Sequence, residues 1–181
     1  LRPKYLPWPK IQRLLASIDR SHSVGKRDYA ILMLLAHHGL RGREAATLRI
    51  SDIDWDKHSM FLRHRKDGAS VQMPLSQQTE EAFRHYLAVR SPCTAPEIFL
   101  TETAPIKPLK RSLHAVAQRH IWNVFGKLPF SQGSHLLRHS FAKALLDRGA
   151  KLHEVGALLG HRSLRSTQIY TRIATEELRE V

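Results

Sequence analysis

Apolar residues return every three or four positions through most of this chain, so helices dominate the pattern. Ile11, Leu14, Leu15 and Ile18 predict a short first helix, and Tyr29, Ile31, Leu32, Leu34 and Leu35 predict a more apolar one over 28–38, placed in the core. Gly39 follows as a left-handed cap. A third short helix is predicted over 41–48, with Glu44 one turn after Arg41. The period then changes. Met60-Phe61-Leu62, the turn pair Asp67-Gly68 and Val71-Gln72-Met73-Pro74 predict a β-hairpin over 59–75, with Pro74 at its end or on an edge. Helical spacing resumes over 77–90, where Phe83, Tyr86 and Leu87 share a face, and a proline-rich connection over 91–108 holds the short run Ile98-Phe99-Leu100. A basic helix is predicted over 111–122 and a loop over 124–133. Ser134 is placed to cap a helix that runs to Gly149, a further helix over 152–159 ends at Gly160, and a short one over 164–172 holds Tyr170. Positions 176–181 read as a terminal helix or a tail. The fold class is α+β, mostly α-helical, with one small antiparallel sheet.

Composition narrows the function. At 181 residues and 42% hydrophobic content the chain can bury one sizeable core. A single cysteine, Cys93, excludes an intrachain disulfide and a Cys-rich zinc site, and fits a reducing cytoplasm. No apolar run approaches the roughly 18 residues of a membrane span, and there is no secretory signal, so a cytoplasmic protein without a membrane partner is expected. The formal net charge of +13 points to a polyanion, and on a domain of this size to nucleic acid. The chain starts at Leu1, and Pro3, Pro7 and Pro9 make 1–10 read as a linker from a further domain.

The residues with chemical potential gather towards the C-terminus. His135 and Arg138 are three apart on a helix and project from one face, close to a helix start whose free N–H groups suit a phosphate. His38-Gly-Leu-Arg41 repeats the same H-x-x-R pattern, so spacing alone does not identify a site. His135 and His139 have a zinc-type i, i+4 spacing, but Arg138 stands between them and neither a following glutamate nor a third ligand is apparent; no metal is expected. His161 after Gly160 reads as a cap residue or a phosphate donor. Tyr170 alone reads as half-buried core. Arg41 is either paired to a carboxylate such as Glu44 or held for an anion. Lys110, Arg111, His114, Arg119 and His120 form a basic set that reads either as a solvated face or as a DNA contact.

Taken together, these residues resemble the catalytic domain of the tyrosine recombinases, the phage-integrase and Xer-type family. Gly39-Leu40-Arg41-Gly-Arg-Glu44, with Leu48 and Ser51-Asp52-Ile53 after it, is similar to the family's first-arginine box. Arg65-Lys66-Asp67-Gly68, ahead of Val71 and Pro74-Leu75, is similar to the hairpin that carries its lysine. His135-Leu-Leu-Arg138-His139-Ser140 resembles its H-x-L-R-H-[ST] box, and Leu158-Leu159-Gly160-His161 and Thr167-Gln-Ile-Tyr170-Thr171 resemble its last two. The boxes stand in family order. Leu136 replaces a frequent aspartate, Arg43 is unusually basic for its place, and residues 1–10 are expected to lead in from the family's N-terminal DNA-clamping domain, which these 181 residues do not include.

The resemblance implies a catalytic domain over 11–172 and a tail over 173–181 that docks on a neighbouring subunit. It implies a site-specific recombinase that cuts double-stranded DNA through a 3′-phosphotyrosine at Tyr170, exchanges strands within a tetramer, and uses neither metal nor ATP. Arg41, Arg138 and His161 would hold the phosphate, Lys66 would protonate the leaving 5′ oxygen, His135 would act as base or positioner, and Glu44 would orient Arg41. Lys110, Arg111 and Arg119 would be added DNA contacts. A type IB topoisomerase and a catalytically inactive DNA-binding module on the same fold are the alternatives.

Overall fold

A computed structural model describes residues 5–63, 70–110 and 113–160. Lys66, Arg111, His161 and Tyr170, with the predicted helix over 164–172 and the tail, lie outside the described residues.

The architecture is a helical body with one small sheet. Its helices are α1 (Trp8–Ala16), α2 (Ser23–His38), α3 (Gly42–Ala46), α4 (Gln77–Leu87), α5 (Leu113–Phe125), α6 (Ser134–Asp147) and α7 (Leu152–Leu158). Strands β1 (Ile53–Asp54), β2 (Ser59–Leu62) and β3 (Val71–Pro74) form an antiparallel three-stranded sheet in the order β1-β2-β3. Ser59 pairs with Pro74 and Leu62 with Val71, so Pro74 stands at the end of the ladder. The two hairpin strands therefore fall where the pattern puts them, and the predicted turn at Asp67-Gly68 lies outside the described residues. β1 was not predicted, because its two residues are too short to show a period.

Helix α2 is the hub. Every residue from Ala30 to Ala36 is buried, a continuous apolar run that has no solvent face, and α1, α3, α4, α5 and α6 all contact the helix. It begins at Ser23, five residues before the predicted start at position 28, because its first turn is polar and lacks an apolar period. Ile98, Phe99 and Leu100 are buried as well, and Phe99 packs against Phe83 and Tyr86 of α4. The proline-rich connection thus contributes core. Leu6 is buried and donates its N–H to Ser140 Oγ at 2.8 Å, so the described part of the stretch read as a linker is docked on α6. No described helix is long and apolar enough to cross a membrane.

Two polar clusters are locked into this body. The Asp28 carboxylate is fully buried and accepts from Arg27, from Arg119 and from His120 at 2.9 Å, while Arg27 also reaches the Leu100 carbonyl at 3.1 Å. Burial alone would raise the Asp28 carboxyl, but the His120 hydrogen bond and the Arg27 and Arg119 guanidiniums overrule it and hold the group below the ordinary carboxylate value. The other cluster joins the end of α2 to the start of α4. His38 Nε2 lies 3.1 Å from Thr79 Oγ1, and the Ser76 hydroxyl caps α4 by accepting from the Thr79 N–H.

Burial, reinforced by the charge of His37, pushes the His38 imidazole down to about 3 from an ordinary 6.5. Between those values the unfolded chain holds a proton at this site that the folded chain does not, so stability falls as pH drops. Urea unfolding as a function of pH should show this loss beginning below about 6.5, with a slope of up to roughly 1.4 kcal/mol per pH unit. His38→Gln should flatten the slope; an unchanged slope in the variant would assign the acid sensitivity elsewhere.

Candidate active site

The site forms where the end of α2, the starts of α3 and α6, and the end of α7 converge. Its geometry begins with Gly39, which adopts φ 59° and ψ 27° and turns the chain out of α2 in a left-handed cap. A Cβ there would lie 2.4 Å from Phe141 Cδ1 and 2.9 Å from Leu159 Cδ2, so conformation and space both require glycine. The next residue, Leu40, is buried and anchors the turn. Arg41 then stands in extended conformation at the N-cap of α3.

Glu44, one turn into α3, ties the centre together. Its Oε2 accepts the Arg41 backbone N–H at 2.8 Å, and its Oε1 accepts Arg41 Nη1 at 3.0 Å. The same carboxylate lies 4.0 Å from Arg138 Nη1. Arg138, in the second turn of α6, also donates Nη1 to the Gly39 carbonyl at 2.6 Å and Nη2 to the Leu159 carbonyl. The two guanidiniums of the two H-x-x-R patterns thus share one buried acid. The Glu44 side chain is 5% exposed, against 13% for Arg138 and 28% for Arg41, so the acid lies deepest and Arg41 reaches furthest towards solvent. Such an arrangement fixes the planar forks in advance and leaves net positive charge at the surface, which suits an anion with several oxygens.

Beside this centre is a cleft of about 610 Å³ lined by Arg41, Arg43, Lys110, His114, Ser134 and His135, among others. Its cations outnumber its one lining carboxylate, that of Glu97. His135 is exposed on the first turn of α6, with its ring 6.3 Å from that of His114. Ser134 is not the cap that its residue type suggests. Gly133 holds the N-cap position, with φ 116°, and Ser134 is the first residue inside the helix, buried against Gly42.

The structure therefore brings Arg41, Glu44, His135, Arg138 and Lys110 to one place. Arg119 is not among the cleft's lining residues; its Nη2 pairs with Asp28 Oδ2 at 2.5 Å, although its side chain is 52% exposed. Arg43 and Ser134 also line the cleft, although in sequence the first stood out only as unusually basic for its place and the second only as a helix cap, and His114 stood out only as one member of a basic helix. The close approach of these groups is a product of packing between α3, α5 and α6, which no local pattern reveals. Among the described residues no three His, Cys, Asp or Glu side chains cluster in a metal-binding arrangement.

The chain that carries this centre has known relatives. The profile of the phage integrase family matches residues 4–177. A protein of Sinorhizobium fredii named as an integrase/recombinase, y4gC, is 38% identical over 99% of this chain and 94% of its own length. The tyrosine recombinase XerA of Thermococcus kodakarensis is 32% identical over 98% of this chain, which spans 61% of that relative. Among solved structures, the XerA recombinase superposes with a TM-score of 0.73 at 25% identity, covering 97% of this chain and 62% of that one. XerH bound to palindromic difH substrate in a post-cleavage complex superposes with a TM-score of 0.74 at 25% identity, covering 98% and 52%. The chain belongs to the phage integrase family, the tyrosine-type site-specific recombinases.

Removing the shared acid should loosen both arginines at once. Glu44→Ala should lower the unfolding free energy by about 1–3 kcal/mol, because Arg41 loses its acceptor and the partly buried Arg138 loses its counter-charge. Glu44→Gln, which keeps an acceptor oxygen, should recover about half of that loss. Urea denaturation measures both, and equal stability in all three proteins would mean that the guanidiniums are adequately solvated without the acid.

Proposed function

We propose that this chain cuts and rejoins double-stranded DNA at specific sites through a covalent 3′-phosphotyrosine on Tyr170. The observation that carries the reading is the pair of guanidiniums of Arg41 and Arg138, gathered about one buried carboxylate beside a cationic cleft. The XerH relative with DNA bound supports DNA as the partner.

In this scheme the Tyr170 hydroxyl oxygen attacks the scissile phosphorus while the bond from phosphorus to the 5′ oxygen breaks. A free phenol has a pKa of about 10, so the attack needs help near neutrality. Guanidinium groups close to the phenol favour its ionised form, and the same groups neutralise charge on the pentacoordinate phosphorus through paired contacts to its non-bridging oxygens. His161 donates a further hydrogen bond to the phosphate. The phenol proton passes to His135 or to solvent, and Lys66 gives a proton to the departing 5′ oxygen. The phosphotyrosine conserves the bond energy, so a 5′-hydroxyl from another strand can attack it, release Tyr170 and rejoin the DNA. Neither hydrolysis of a nucleotide nor a metal ion is needed for that balance. Two such rounds within a tetramer on paired sites, in the cytoplasm, complete the exchange. The tail over 173–181 docks on the neighbouring subunit in that assembly.

The test is to incubate the full-length protein with DNA from around its own gene in EDTA, denature in SDS, and look for a protein–DNA adduct. Wild type should form the adduct and Tyr170→Phe should not. Arg138→Ala should slow its formation by about 100-fold or more, with a smaller effect on DNA binding. Binding itself should weaken steeply with added salt. Salt-sensitive binding to the correct site without any adduct would reduce the chain to a DNA-binding module. An adduct without exchange between two sites would favour a topoisomerase.

A further inference from the structure

His114 is buried more deeply in the logic of the cleft than its place on a basic helix suggests. Its Nδ1 lies 3.3 Å from Ser134 Oγ, which bridges α5 to the first residue of α6. Its ring lies directly against Gly133: a Cβ there would stand 2.5 Å from Cε1, 2.7 Å from Nδ1 and 2.8 Å from Nε2. Gly133 also has φ 116°, so both the backbone and the imidazole exclude a side chain at that position. On the other side of the pair, a Cβ on Gly42 would stand 3.2 Å from Ser134 Oγ. The His114–Ser134 contact is therefore wedged between two glycines. One precedes Ser134 and His135, and the other follows Arg41.

The His135 side chain makes no hydrogen bond among the described residues. Its position is set by the backbone that carries it and by the His114 ring 6.3 Å away. The first turn of α6 is held by the Leu136 and Leu137 N–H groups, both of which donate to the Gly133 carbonyl. His114 is the side chain that packs on Gly133.

We propose that His114 is a positioning residue: acting through the Ser134 hydroxyl and Gly133, it sets the start of α6, and with it His135, against the Arg41 end of α3. This rests on the DNA-cleavage reading given above. The consequence is that loss of His114 impairs the chemical step more than it impairs DNA binding.

Two measurements on the full-length protein test it. In the first, single-turnover adduct formation at saturating site DNA is compared with DNA affinity for His114→Ala and His114→Asn. Asparagine can place an amide group where the imidazole Nδ1 lies. His114→Ala should slow adduct formation by about tenfold with affinity within about twofold, and His114→Asn should recover most of the rate. A wild-type rate in His114→Ala would overturn the proposal. So would parallel losses of rate and affinity that track the folded fraction and that asparagine does not restore. The second measurement needs no DNA. Amide exchange at Leu136 and Leu137 should quicken in His114→Ala and return towards wild type in His114→Asn, and unchanged exchange would overturn the proposal. If wild type forms no Tyr170-dependent adduct, the cleavage reading fails, and the exchange result alone then upholds or overturns the positioning of α6.

Discussion

The Glu44 carboxylate is the constraint on which the site depends. Two guanidiniums brought to one place repel each other, and both lose hydration as the surrounding helices pack. A single acid between them offsets the repulsion, accepting a hydrogen bond from Arg41 and standing 4.0 Å from Arg138. It also binds the Arg41 backbone, so α3 begins where the charge pair needs it to begin. The acid is buried and the cations are partly exposed, which makes the centre neutralised inside and positive outside. An anion with several oxygens meets an Arg41 guanidinium already held in place and loses little in ordering it.

The helical body exists to hold that geometry. Arg138 is fastened by two backbone carbonyls, one at the end of α2 and one just past α7. Those carbonyls are in reach because Gly39 turns left-handed and leaves room for Phe141 and Leu159. Helix α2 in turn is fixed at both ends by polar groups with no access to water. Asp28 locks its first half to α5 and to the segment near Leu100, and His38 locks its end to the cap of α4. Buried polar groups of this kind are costly unless satisfied, so they specify one arrangement of the helices around α2 more sharply than apolar packing alone.

Two placements show where a local reading stops. Ser134 has the residue type of a helix cap, yet Gly133 takes that position and the Ser134 hydroxyl turns towards His114 and Gly42. A cap is a choice between neighbouring residues, and here the space occupied by the His114 ring decides it. Arg119 looks like a free surface cation in sequence, yet it is partnered by an acid from a helix far away in the chain.

The sequence by itself determined the class. Helical and strand periods follow from side-chain geometry along one segment, so α2, α4 and the hairpin could be read directly. Ordered boxes around Arg41, His135 and Arg138 likewise exposed the family, because the chemistry needs those residue types and the chain must present them in sequence. Tertiary structure alone decided which charges meet. That Glu44 serves both arginines, that Lys110 and His114 join His135 in one cleft, and that Arg119 turns to Asp28 instead all depend on helices distant in sequence. Coulombic and hydrogen-bonding partners are set by distance in space, and a linear pattern carries no record of that distance.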